Sequence, residues 1–379
     1  MAGPNEAAAR PAYPVADPDP FYRAPEDLDR YSPGDVVRFR PTDASIYAGA
    51  SGWNIAFRST NSHGEPILAV TTLLLPPGAR AGIPVLSYQP IVNALGARCA
   101  PSRALFNLEQ AEAPGYLLPL DRGWALNLPD HTGQHGAYGA GPLAGMITLD
   151  SIRALRQLPE LGLTDSRVGL AGYSGGGMAT AWAAAMAGEY APDLDIAGAV
   201  QGGVPADLEA MAEIIGQQHH PGFGLAFAAA IGLEREYPDR FEMEKELNHH
   251  GLWLRDFLSN ECRRSILFHG AFRSANDLTN SPDWFHSEAA RSVMRENSLV
   301  HFDGIPTMPV HMWHGRLDPL TPYEPVAQVA RRYCDAGATL HFVTHEVAEH
   351  MIPAAAGFVE ALDYLDARFR GVPAPTSCR

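Results

Sequence analysis

One serine stands among four glycines in GYSGGG, residues 172–177. An apolar run, VGLAGY, leads into it, and the alanine-rich MATAWAAAMAG follows. A GxSxG sequence between a strand and a helix is the signature of a nucleophile elbow, a turn too tight for larger neighbours. It would set the Ser174 hydroxyl at the start of a helix, where backbone N–H groups favour developing negative charge. The backbone N–H of Gly175 is then one expected oxyanion donor. A serine hydroxyl is a poor nucleophile without a base, so the elbow calls for an acid and a histidine downstream, each in a loop after a strand. Asp318 meets the first requirement in HGRLDPLTP, and His350 meets the second in HEVAEHMIP. The expected chemistry is attack by Ser174, proton transfer through His350, and orientation of the imidazole by Asp318. His345, closer to the strand end, and His314, beside the acid loop, are the rival histidines. The second oxyanion donor is expected from the loop PIVNALGARCAPS, where Asn93 is the best-placed polar residue.

The elements that must position these groups alternate. DVVRFRP and WNIAFRST read as strands by their alternation, and ILAVTTLLLP, IPVLSYQP and WALNLPDH as buried strands. AGPLAGMITLDSIRALRQL has helical spacing, and a strand IAGAVQGG follows the elbow helix. The alternation resumes with MPVHMWHG, EPVAQVARRYC, TLHFVTHE and AAAGFVEALDYLDARF. Apolar strands alternating with helices predict a mostly parallel central sheet flanked by helices. Residues 204–306 interrupt the pattern, far beyond the usual strand–helix loop of about 2–6 residues. PADLEAMAEII, FGLAFAAAIGL and FEMEKELNHHGLWLRDFL predict helices there. The expected organisation is a core of 1–203 and 307–379, with an irregular N-terminal arm over 1–35, and an inserted helical cap or lid over 204–306. The acidic run EREYPDRFEMEKE reads as a solvated helix face.

The 379 residues carry 43 acidic and 28 basic side chains, a net charge of −15. That excludes a nucleic-acid partner and electrostatic docking on an anionic membrane. No stretch is long enough to span a bilayer, so no stable membrane insertion is expected. The first residues lack the apolar core of a signal peptide, which fits either a cytoplasmic protein or a processed, exported one. Four cysteines, Cys99, Cys262, Cys334 and Cys378, allow three pairings and form no CxxC metal spacing. His131 with His135, and His219 with His220, lack the partner sets of metal sites, and no phosphate or dinucleotide motif occurs. No metal or cofactor is expected.

Taken in order, DPFY, SYQ…N…CAPS, GWALNLPDHTG…AYGAG…GMITLDSIRAL, GYSGGG, HGRLDPLTP and the late EH resemble the secretory lipase family over about residues 20–379. The resemblance implies an α/β-hydrolase fold, an ester hydrolase with a helical cap over an acyl-binding tunnel, and the same triad, Ser174, Asp318 and His350. It implies disulfides Cys99–Cys262 and Cys334–Cys378, and with them an exported, oxidised protein. Where the family commonly has Asp in the oxyanion loop, this chain has Asn93. Phe223, Phe227 and Ile231 are the candidate acyl-contacting residues of the cap. The expected substrate is an ester or lipid with an apolar acyl chain, met at most by transient contact with a lipid interface. An esterase or acyltransferase for a small natural-product ester is the nearest alternative. A serine aminopeptidase or a non-catalytic binding protein on the same fold are alternatives of other classes.

Overall fold

The computed structural model describes residues 10–378 apart from 48, 106–109, 111 and 282. The first nine residues of the expected N-terminal arm therefore lie outside the described residues. Nine strands form one sheet in the order β1-β2-β3-β5-β4-β6-β7-β8-β9. β1 (Val36–Thr42), β2 (Ser51–Thr60) and β3 (Pro66–Leu75) are an antiparallel ribbon, and β3 joins β5 (Ala125–Pro129) antiparallel. From β5 onward every pairing is parallel, through β4 (Val85–Gln89), β6 (Val168–Tyr173), β7 (Ile196–Gly202), β8 (Val310–Gly315) and β9 (Leu340–His345). The strands at the centre are buried throughout, as their unbroken apolar runs require.

Two helices, α1 (Gly141–Arg156) and α2 (Gly175–Tyr190), pack on each other beside the elbow strand. The Trp182 side chain of α2 is 1 % exposed at the centre of that packing. Between β7 and β8 the longer described elements are helices: α3 (Phe223–Glu236), α4 (His249–Leu258), α5 (Arg263–Gly270) and α6 (Glu288–Glu296). After β8 come α7 (Tyr323–Asp335) and α8 (Met351–Phe369), the latter packed across β6, β7 and β8.

Two expectations for this helical segment need correction. FEMEKELNHHGLWLRDFL is not one helix. It breaks at Leu247, which bridges to Thr279, and Asn248 restarts it by accepting from the N–H groups of His250 and Gly251. Asn satisfies the first free helical donors better than it continues a helix. Nor is EREYPDRFEMEKE a solvated face throughout, since Glu234, Arg235 and Glu236 are 1 %, 2 % and 8 % exposed. Each is buried with partners: Glu234 with Arg255 at 3.1 Å, and Glu236 with the Ser62 N–H at 2.7 Å. The Arg235 guanidinium bonds five backbone carbonyls: Nε donates to Ala12, Nη1 is shared among Leu95, His135 and Gly136, and Nη2 donates to Ser259.

Candidate active site

β6 ends at Tyr173 and α2 begins at Gly175, leaving Ser174 alone in the turn at φ 54° and ψ −122°. A non-glycine residue at positive φ is strained, and the surrounding strand and helix hold it there. The turn is closed so tightly that a β-carbon at Gly176 would meet the Gln89 carbonyl at 1.9 Å, and one at Gly172 would meet the Gly176 carbonyl at 2.4 Å. The Ser174 N–H donates to the Gly202 carbonyl at 2.9 Å, and its own carbonyl accepts the first helical bond from Met178 at 2.8 Å.

The structure brings three of the expected side chains into one line. His350 Nε2 is 2.9 Å from Ser174 Oγ, and His350 Nδ1 is 2.6 Å from Asp318 Oδ2. With Nδ1–H donating to the carboxylate, Nε2 is left bare to accept the serine proton. Asp318 is fully enclosed: Oδ1 accepts from the N–H groups of Leu320 and Thr321, and Oδ2 also accepts from the Thr321 hydroxyl at 2.7 Å. Burial pushes this carboxyl up, but the hydrogen bond and charge of His350 and the donors of Thr321 outweigh it and hold the group below its usual value. Tyr173 donates its hydroxyl to the His350 carbonyl and lies 5.3 Å, ring to ring, from the imidazole. The rival histidines stand elsewhere. His314 donates from Nε2 to the Thr321 carbonyl at 2.9 Å and supports the acid turn from behind. His345 pairs in β9 with Gly315 and makes no contact to Ser174.

Thr321 and Tyr173 are the residues that sequence reasoning passed over. The D-P-L-T spacing was the available signal for Thr321, because a threonine three residues after an aspartate can close a turn back on it. Tyr173 gave none, since it reads simply as the last residue of a strand.

Asn93 is 5 % exposed at φ 41°, and its Oδ1 stands 2.1 Å from where a β-carbon at Gly175 would be. That oxygen has no hydrogen-bond partner among the described residues. The loop carrying it is fastened on several sides. Leu95 and Gly96 donate to the Glu261 carbonyl, Cys99 is bonded to Cys262, and Arg235 takes the Leu95 carbonyl. The second disulfide joins Cys334 at the end of α7 to Cys378. His131, one of the other singled-out histidines, is buried and bonds the Pro90 carbonyl of the same loop through Nε2; burial lowers its pKa to about 4.

An apolar cavity of about 110 Å³ lies among α3, the preceding turns and α6. Phe223 and Phe227 line it, stacked at 5.9 Å, together with Ala226, Ala230 and Met294. Tyr138 also lines it, and the same ring comes within 3.6 Å of the position a β-carbon would take at Gly175. Ile231 does not line the cavity. It follows Ala230 by one residue, about 100° further round the helix, and is wholly buried on another face. A larger cavity, about 770 Å³, lies between Tyr13, the β2–β3 turn and Arg240. It contains no member of the triad, and neither Tyr138 nor Gly175 lines it.

A strained serine at a strand–helix elbow, hydrogen-bonded to a histidine that a buried aspartate orients, defines a serine hydrolase on the α/β-hydrolase fold. The sequence model of the secretory lipase family matches residues 102–377, and the chain belongs to that family. The crystal structure of Candida antarctica lipase A in its closed state is similar, with a TM-score of 0.89 at 29 % identity, covering 98 % of this chain and 89 % of that one. A secreted triacylglycerol lipase, LIP1, of Malassezia furfur is 29 % identical over 383 residues, 95 % of this chain and 77 % of that protein. A Mycobacterium tuberculosis protein named as a probable inactive lipase is 32 % identical over 388 residues, 98 % of this chain and 86 % of that protein. The chain is a carboxylic ester hydrolase of the lipase and carboxylesterase class.

Proposed function

We propose that Ser174 attacks the ester carbonyl, that His350 takes its proton and returns it to the leaving alcohol, and that Asp318 orients and stabilises the imidazolium. The acyl-enzyme on Ser174 is then hydrolysed by the same steps with water as the nucleophile. The Ser174–His350–Asp318 line of hydrogen bonds carries this reading. It also weighs against a non-catalytic role, because a relative named inactive makes family membership alone an insufficient argument. The Gly175 N–H is one oxyanion donor, and Asn93 the other. An oxygen facing the oxyanion would repel it, but the planar amide turned half a rotation about Cβ–Cγ presents the Nδ2 donor instead. An amide donates at any pH, whereas a carboxyl in this place would have to keep its proton.

The acyl chain enters past Tyr138 into the cavity beneath the helical cap of residues 204–306. Each methylene buried there contributes roughly 0.8 kcal/mol, so the site favours apolar acyl groups over small ones. Leu317, Val347, Met351 and Ile352 flank the acid and base loops and are 62 %, 88 %, 55 % and 56 % exposed. This apolar rim supports transient contact with a lipid interface. No described helix is long and apolar enough to cross a membrane. The two disulfides and the naming of a relative as a secreted lipase support an exported protein. Labelling with a fluorophosphonate probe tests the assignment. The wild type should carry one probe on the Ser174 peptide and Ser174→Ala none; labelling that survives the substitution would place the nucleophile elsewhere.

A further inference from the structure

About ten residues down α8 from the catalytic histidine, a second histidine cluster sits on the same three elements that deliver the acid and the base. His311 of β8 and His341 of β9 are direct neighbours in the parallel register, so their side chains leave the sheet on one face. Their Nδ1 atoms are 2.9 Å apart. Glu360 of α8 completes a group whose ligand atoms all lie within 4.8 Å of one another. His311 is buried, and its ring is fixed by stacking on Trp313, His341 and Tyr364 at 5.5, 5.0 and 5.3 Å. His341 is half-buried and Glu360 exposed, which leaves the group open to solvent on one side.

A hydrogen bond between the two imidazoles uses one proton and leaves the adjoining carboxylate without a role. A metal ion uses all three. Two nitrogens each about 2.0–2.1 Å from a tetrahedral ion stand about 3.3 Å apart, only ~0.4 Å more than the spacing here. We propose that His311, His341 and Glu360 bind a divalent transition-metal ion of the zinc type, with solvent in the remaining position. Two imidazoles and a carboxylate suit zinc, cobalt or nickel and not the oxygen-seeking calcium or magnesium. The ion would tie β8, which runs into the Asp318 loop, to β9 and α8, which flank His350. Its role is to hold acid and base in register, away from the reacting atoms.

The test uses the full chain, stripped with a chelator and titrated with zinc and, separately, with cobalt. The wild type should take up one equivalent with a Kd in the micromolar range or below, and cobalt should develop the visible bands of a tetrahedral site. Zinc at about a hundred times Kd should raise the unfolding midpoint by roughly 3–5 °C. His341→Gln and Glu360→Gln replace solvent-contacting side chains by neutral amides and should fold normally, with metal-free midpoints near that of the wild type. Each should weaken binding at least tenfold and lose the zinc-dependent shift. Absence of stoichiometric binding by the wild type at 1 mM zinc, taken as roughly a thousandfold excess over the expected Kd, overturns the proposal. So does binding that both variants retain undiminished, since the ion would then sit elsewhere.

Discussion

Arg235 offers the sharpest test of how the site is held. Its guanidinium is buried and bonds five carbonyls from four parts of the chain: the N-terminal arm, the Asn93 loop, the turn at 135–136 and the end of α4. Burial lowers its pKa to about 10, so it remains charged at neutral pH. In Arg235→Met the apolar stem is kept and the donors are lost. The carbonyls of Leu95 and Ser259 are then left buried without partners, at about 1–3 kcal/mol each, while the Gly136 carbonyl keeps the Tyr138 N–H. Relief of the guanidinium's own desolvation offsets part of this, for a net loss of about 2–4 kcal/mol. Urea unfolding should show that loss as a lowered midpoint at unchanged slope. Because the Leu95 carbonyl lies two residues from Asn93, kcat should also fall, by roughly tenfold. Arg235→Lys keeps the charge but has three donors, so it should recover only part of the stability. A methionine variant within about 1 kcal/mol of the wild type would refute the idea that this residue braces the oxyanion loop.

Three further outcomes follow from the same geometry. Asn93→Ala should lower kcat for ester hydrolysis by about 10²–10³ with little change in KM, while an effect below about threefold would leave the backbone as the only contributor. Ala230→Phe should fill the cap cavity and lower kcat/KM for a twelve-carbon ester relative to a four-carbon ester at least about tenfold, at roughly 0.8 kcal/mol per excluded methylene; an unchanged profile would move the acyl chain elsewhere. Asp130 is buried, and burial raises its carboxyl to about 7 despite the donors of Ser102. The folded state therefore holds a proton that the unfolded chain releases near pH 4, and this group's contribution to stability falls as pH rises from about 4 to 7. Asp130→Asn should match the wild type at pH 4 and exceed it by about 2–4 kcal/mol at pH 8; parallel stability curves would contradict the shift.

The parallel sheet was legible because its central strands are apolar on both faces. Ser174, Asp318 and His350 could be proposed from their places after strands, with His345 and His314 left as rivals for the base. Other features depend on neighbours that no local pattern encodes. Glu234, Arg235 and Glu236 look solvated by composition, and only partners distant in sequence make their burial stable: Arg255, the converging carbonyls and the Ser62 N–H. Ile231 has the right chemistry for an acyl contact but the wrong helical phase, and a run as uniformly apolar as FGLAFAAAIGL does not mark which face meets the cavity. The break at Leu247 depends on a bridge to Thr279, and the His311–His341 pair on strand register. Both are long-range choices. The enclosure of Asp318 by Thr321 lies between these cases, readable as a turn but not as part of the site.

The central claim is that Ser174 carries the acyl group between two half-reactions. Stopped-flow mixing with a p-nitrophenyl ester, quenched in acid and followed by intact and peptide mass measurement, tests it most directly. The expected result is a burst approaching one equivalent of p-nitrophenol and an acyl adduct confined to the Ser174 peptide, both lost in Ser174→Ala. Steady ester turnover by the alanine variant, or an adduct on another residue, would contradict it.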